Sequence, residues 1–140
     1  MLEFELTPNH AGIRLWGDPW TLQRIHEVLH KINEQSPVIE DKEGFSLGLA
    51  YDIRKAYEGQ REKKTRAFFE DEYKIYGVEI LWPVLIAQVG LLREAMSFVP
   101  TNRNDQIVAY ELEYLIECAA NKALPGRGEE IISLMYRIGS

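Results

Sequence analysis

Apolar residues crowd most densely between positions 80 and 99, ILWPVLIAQVGLLREAMSFV. Leu85, Val89, Leu92 and Met96 recur there at i, i+4, i+7 and i+11, which lines one face of a helix. Pro83 suits the first turn, where its missing N–H is not needed. Pro100 sets the end, because the residue before proline avoids helical backbone. Such a helix runs about 25 Å at 1.5 Å per residue. It is expected at the centre of the core, with Ala87 and Gly90 on another side, open to close approach by a second element.

The other patterns fall on either side of this run. Residues 2–7 alternate Leu, Phe and Leu with two glutamates, and residues 13–16 alternate again across the turn Pro8-Asn9-His10-Ala11-Gly12. Alternation of this kind predicts half-buried strands, here a hairpin with His10 at its tip. Asp18-Pro19 then caps and starts a helix whose face is Leu22, Ile25, Val28, Leu29 and Ile32. Ser36-Pro37 ends it. After the polar link 40–44, Phe45, Leu49, Ile53 and Tyr57 space at four and predict a second helix over 46–58, stopped by Gly59.

Residues 65–70 and 73–80 predict a second hairpin turning around Glu70-Asp71-Glu72, with Phe68, Phe69, Tyr73 and Tyr76 on a sheet face. A fourth helix is expected over 105–122, with Val108, Leu112, Leu115 and Ala119 inward. A fifth is expected over 129–138, after the break 124–128. Strands and helices come in separate groups, which predicts an α+β fold. The expected architecture is a small antiparallel sheet of about four strands, in two hairpins, packed against four to five helices.

A chain of 140 residues is expected to form a single domain over 1–140. Its composition, 46% hydrophobic and 27% charged, is that of a soluble globular protein. The apolar run at 81–92 is shorter than the ~20 residues a membrane span requires, and Gln88 interrupts it. No signal peptide is expected, since no basic segment precedes an apolar one. Cys118 is the only cysteine, so no intrachain disulfide is available and a reducing cytoplasm is the expected compartment. It reads as a small packed hydrophobe.

The net charge of −6 disfavours nucleic acid and anionic membrane as partners. That charge is uneven. Between Arg54 and Arg66 six basic residues and two glutamates give +4, which leaves −10 elsewhere. The basic segment reads as a solvated loop and helix end, or as a contact for phosphate or an acidic partner.

One motif carries catalytic chemistry on its face. His26-Glu27-Val28-Leu29-His30 matches H-E-x-x-H. Histidines four apart on a helix can share one zinc, and Glu27 would be the base for a metal-bound water. Against this, Arg24 and Lys31 flank the motif where a zinc-protease helix carries uncharged residues. Both imidazoles fall toward the polar border of the apolar stripe. No later histidine supplies a third ligand. Glu40, Asp41, Glu43, Asp52 and Glu58 are all eligible, and such a surplus selects none. Plain helix residues are the expectation for His26, Glu27 and His30. Gly126-Arg127-Gly128 before a helix resembles a phosphate cradle, but Glu129 and Glu130 in the first turn would repel an anion.

Four stretches also carry a resemblance: LTPNHAGIRLWGD (6–18), GLAYDIRKAYEGQRE (48–62), YGVEILWPVLIAQVGLLREA (76–95) and PTNRND (100–105). They resemble a family of small uncharacterised bacterial proteins, a domain of unknown function. The resemblance covers residues 6–105 and implies a stand-alone cytosolic bacterial domain. It implies no activity and no catalytic residues.

Three functions compete. The first is a non-enzymatic interaction domain, antitoxin- or immunity-like, that self-associates as a homodimer or binds a basic protein partner through acidic surface. Glu111, Glu113 and Glu117 on the fourth helix, with Glu129 and Glu130, would supply that surface. The second is a zinc-dependent hydrolase using His26, Glu27 and His30. The third is a small-ligand pocket lined by Trp16, Trp20 and Trp82. The first is the expected one, with no cofactor.

Overall fold

The computed structural model describes residues 2–44 and 47–139. Its elements run in the order β1 (Glu3–Leu6), β2 (Gly12–Gly17), α1 (Pro19–Gln35), α2 (Gly48–Tyr57), β3 (Glu62–Phe68), β4 (Asp71–Leu81), α3 (Trp82–Met96), α4 (Arg103–Ala123) and α5 (Gly128–Gly139). This is the expected α+β fold. The four strands form one antiparallel sheet in the order β1-β2-β4-β3. Phe45, expected on the inner face of the second helix, lies outside the described residues, as does Ser46, the expected start of that helix.

Strand alternation decides which face meets the helices. Ile13, Leu15, Val78 and Ile80 join one apolar cluster with the helices, and Phe4 and Leu6 pack against it. The opposite face carries Glu3, Glu5, Arg14, Trp16, Glu62, Lys64, Arg66 and Glu79. The sheet curls until its two edge strands meet across that face: Lys64 pairs with Glu5 at 3.1 Å and Arg66 with Glu3 at 2.8 Å. Trp16 and Ile75 are buried on this side. The Lys64 ammonium sits 4.2 Å from the Trp16 ring, and the indole N–H donates to Glu5.

The apolar run does form the central helix. α3 touches every other helix as well as β4, and Leu85, Val89, Leu92 and Met96 are buried. Gly90 is the close-approach point, but the approaching element is α5 of the same chain: a Cβ there would lie 2.7 Å from the Met135 carbonyl. Gln88, the polar break in the run, is buried, and its Oε1 accepts the Leu49 N–H at 3.3 Å. It thus serves the first turn of α2, which has no side-chain cap of its own.

Several boundaries differ from the sequence expectation, each for a local reason. α3 ends at Met96, because its last carbonyls tighten onto the N–H groups of Ser97 and Phe98 before Pro100. α4 starts at Arg103, since Asn102 and Asp105 form a reciprocal capping box. The second hairpin turns at Phe69-Glu70, one step earlier than expected, and β3 begins at Glu62.

The largest difference concerns the aromatics of that hairpin. β2 pairs with β4 only up to Gly17–Tyr76, so residues 71–75 of β4 pair with β3 alone. The distal half of β3–β4 is a two-stranded ribbon projecting past the sheet. Tyr76 packs against the core, whereas Phe68, Phe69 and Tyr73 are exposed rather than on a covered sheet face.

Candidate functional site

The H-E-x-x-H segment lies on α1, as its chemistry requires. Asp18 caps the helix through the Thr21 N–H at 2.8 Å, and Leu22, Ile25, Val28, Leu29 and Ile32 are buried as expected. His26 and His30 then share the wall of a cleft between α1 and α2. The cleft has a volume of about 450 Å³ and also takes in Glu43, Tyr51, Asp52 and Arg54. The two imidazole centroids are 5.9 Å apart, and His26 meets the Tyr57 ring edge-on at the same distance. Burial holds the His26 imidazole below its ordinary pKa, with the charge on His30 and then Arg54 acting in the same direction. Burial raises the Asp52 carboxyl, against the pull of Arg61.

Spacing brings the two histidines together, but the rest of a zinc centre does not assemble around them. Among the described residues no three His, Cys, Asp or Glu side chains form a group able to hold a metal ion. Glu27 is not on the histidine wall; it lines a separate groove with Trp20, Gln23, Arg24 and Asn104. The flanking cations are occupied elsewhere. Arg24 donates to Asn104 at 2.6 Å, and Lys31 pairs at 2.6 Å with the buried Asp105. Both point toward α4, so they do not break the wall beside the histidines as their sequence positions implied.

The three tryptophans do not share a pocket. Trp16 is buried under Lys64, Trp20 is exposed beside Arg24, and Trp82 lines an apolar pocket of about 240 Å³ with His10, Ile86 and Leu124. The glycine loop before α5 is not an anion cradle: Arg127 pairs with Glu130, and the Gly128 N–H donates to Asn121. Much of the +4 segment is answered internally. Arg54 and Lys55 lie over Tyr51, and Lys64 and Arg66 hold the β1 glutamates.

What the sequence reading missed is the ribbon tip. Phe68 and Asp71 are paired, leaving a two-residue turn of Phe69 and Glu70. Phe69 has φ +56°, a left-handed conformation that is unusual for a bulky residue and that glycine ordinarily fills at the first position of such turns. Holding it there costs about 1–3 kcal/mol. The side chain is 91% exposed and meets the Phe68 ring edge-on at 4.7 Å. Glu70, Asp71 and Glu72 follow directly. At 91% exposure the side chain gains nothing from burial that would offset the strain.

The α+β architecture with a projecting acidic-aromatic ribbon defines the molecule's class no further than a small mixed domain. A family described as Domain of unknown function (DUF6904) matches residues 2–138, and the chain belongs to it. No curated protein matches the chain, and no solved structure does. Among the described residues no helix is long and apolar enough to cross a membrane.

Proposed function

We propose that this chain is a non-enzymatic interaction domain that engages a basic protein partner with the tip of its β3–β4 ribbon, in the manner of an antitoxin or an immunity protein. The observation that carries this reading is Phe69, an almost fully exposed aromatic held in a backbone conformation that disfavours it. A strained residue persists where its position serves something besides stability. Aromatic anchors seated in a partner's pocket dominate many protein interfaces. Three consecutive carboxylates beside the anchor suit a pocket rimmed by cations and would speed its encounter. A hydrolase centred on His26 and His30 lacks this support, because Glu27 faces another groove and no third ligand joins them among the described residues.

The test is photo-crosslinking in cells that make the protein, with a photoreactive phenylalanine at position 69. The expected product is one discrete adduct to a basic protein, lost when Glu70, Asp71 and Glu72 are changed to lysine. An adduct that survives the charge reversal, or none at all, overturns the reading.

A further inference from the structure

The outward stripe of α4 goes beyond the ribbon and stands on separate observations. At 100° per residue, Arg103, Ile107, Tyr110, Tyr114 and Glu117 fall within about 80° of one another on the helix. Ile107 is 52% exposed, Tyr110 63% and Tyr114 68%. A helix that packs only inward puts polar residues at such positions. Apolar surface continues on both flanks. Trp20 lies under Arg24, whose guanidinium reaches Asn104 and Glu111 of α4. Tyr136 of α5 hydrogen-bonds Glu113, which pushes its phenol up to about 12.

The stripe carries opposite charges toward its two ends. Arg103 and Glu117 each lie seven residues from Tyr110, on opposite sides, about 10.5 Å along the axis. Neither has an ion-pair partner among the described residues. We infer that α4 is the contact helix of a two-fold dimer, packed antiparallel against α4 of a second copy of this chain. Tyr110 then sits near the axis against its own copy, Ile107 of one chain meets Tyr114 of the other, and Arg103 meets Glu117 twice. A parallel pair would set Arg103 against Arg103 and Glu117 against Glu117, so the charges select the antiparallel arrangement. α4 is about 31 Å long, and its two flanks widen the contact toward the 1,200–2,000 Å² typical of stable interfaces, taken as a rough guide. The surface is isologous and closes on itself.

The test uses the full chain with Cys118→Ser as background. Sedimentation is expected to show twice the 16.2 kDa chain mass. Tyr110→Cys is expected to oxidise to a covalent dimer. Arg103→Cys is not, because antiparallel packing separates the two copies of position 103 by roughly 21 Å, beyond disulfide reach. Arg103→Glu and Glu117→Arg are each expected to weaken the dimer about tenfold, and the double variant to restore it. These positions are on the surface, so unchanged circular dichroism confirms that each variant folds. A monomer at tens of micromolar, or cross-linking through position 103 instead of 110, overturns the inference. Either result leaves the ribbon reading standing, since the adduct at position 69 is scored separately.

Discussion

Gly77 lies beneath the indole of Trp16. The two residues are cross-strand partners, and a Cβ at 77 would come within 2.6 Å of the indole Cε3. The indole is fixed from its edge by Glu5 and from its open face by Lys64, so it has little room to retreat. Gly77→Ala is expected to destabilise the fold by about 1–3 kcal/mol, the usual cost of overpacking. Denaturant melts of the two proteins measure it, and equal midpoints would show that the indole is free to move.

Leu92 is a buried member of the apolar cluster on α3. Leu92→Ala is expected to cost roughly 2–5 kcal/mol. An unchanged midpoint in the same melt would remove α3 from the centre of the core.

The Asp18 cap gives the fold an acid-sensitive component. Burial would raise its carboxyl, but opposing effects, the hydrogen bonds from the Thr21 hydroxyl and N–H first and the amino-terminal charge after them, hold the group at about 2, below the ordinary 3.8. A carboxyl depressed in the folded state adds stability above the unfolded pKa and loses it as pH falls toward the folded one. Stability is therefore expected to drop between pH 4 and 2 through this group. Asp18→Asn keeps a capping side chain but not the titration, so its acid profile should be flatter there. Parallel profiles would count against the cap.

The histidine pair is expected to hold less than one zinc per chain in protein purified without added metal, and His26→Ala is expected to leave folding largely intact. Elemental analysis and a thermal melt decide both. By NMR, His26 should titrate below 6.5. An imidazole kept neutral by the fold weakens it as pH falls through that value, because the unfolded chain takes up the proton first. A stoichiometric zinc lost in both His26→Ala and His30→Ala would reverse this prediction.

Phe69→Gly separates stability from recognition. Glycine accepts the positive φ without strain, so the melting temperature should rise, by an amount reflecting about 1 kcal/mol or more. The same change removes the proposed anchor and should weaken partner binding. A fall in melting temperature would mean that Phe69 is supported by contacts within the fold.

Most of the framework was legible in the sequence because burial imposes periodicity. α1 shows this well: its cap, its inward face and its end at Ser36 all follow from local chemistry, and all are in place. α3 was legible from its apolar run alone. The ribbon was not. Aromatics in a strand pattern usually mark a covered face, and only the pairing limit at Gly17–Tyr76 reveals that the strands outrun their neighbours. The histidine cleft was half legible. Spacing placed His26 and His30 side by side, but which way Arg24 and Lys31 turn depends on α4, far away in sequence. The strain at Phe69 had no sequence signature, since any residue can be written at a turn position.

The seam between β1 and β3 bears on how other chains can attach. Exposed edge strands invite backbone pairing, which is the route to strand addition and to amyloid-like stacking. Here the two edges are drawn together, and the charged side chains of Glu3, Glu5, Lys64 and Arg66 stand across the gap. Such surface ion pairs add little to stability, but an incoming strand would have to displace them to pair along this seam. The curled part of the sheet is thereby guarded against templated growth, and main-chain pairing is left to the ribbon, where β4 over 71–75 has β3 on one side alone.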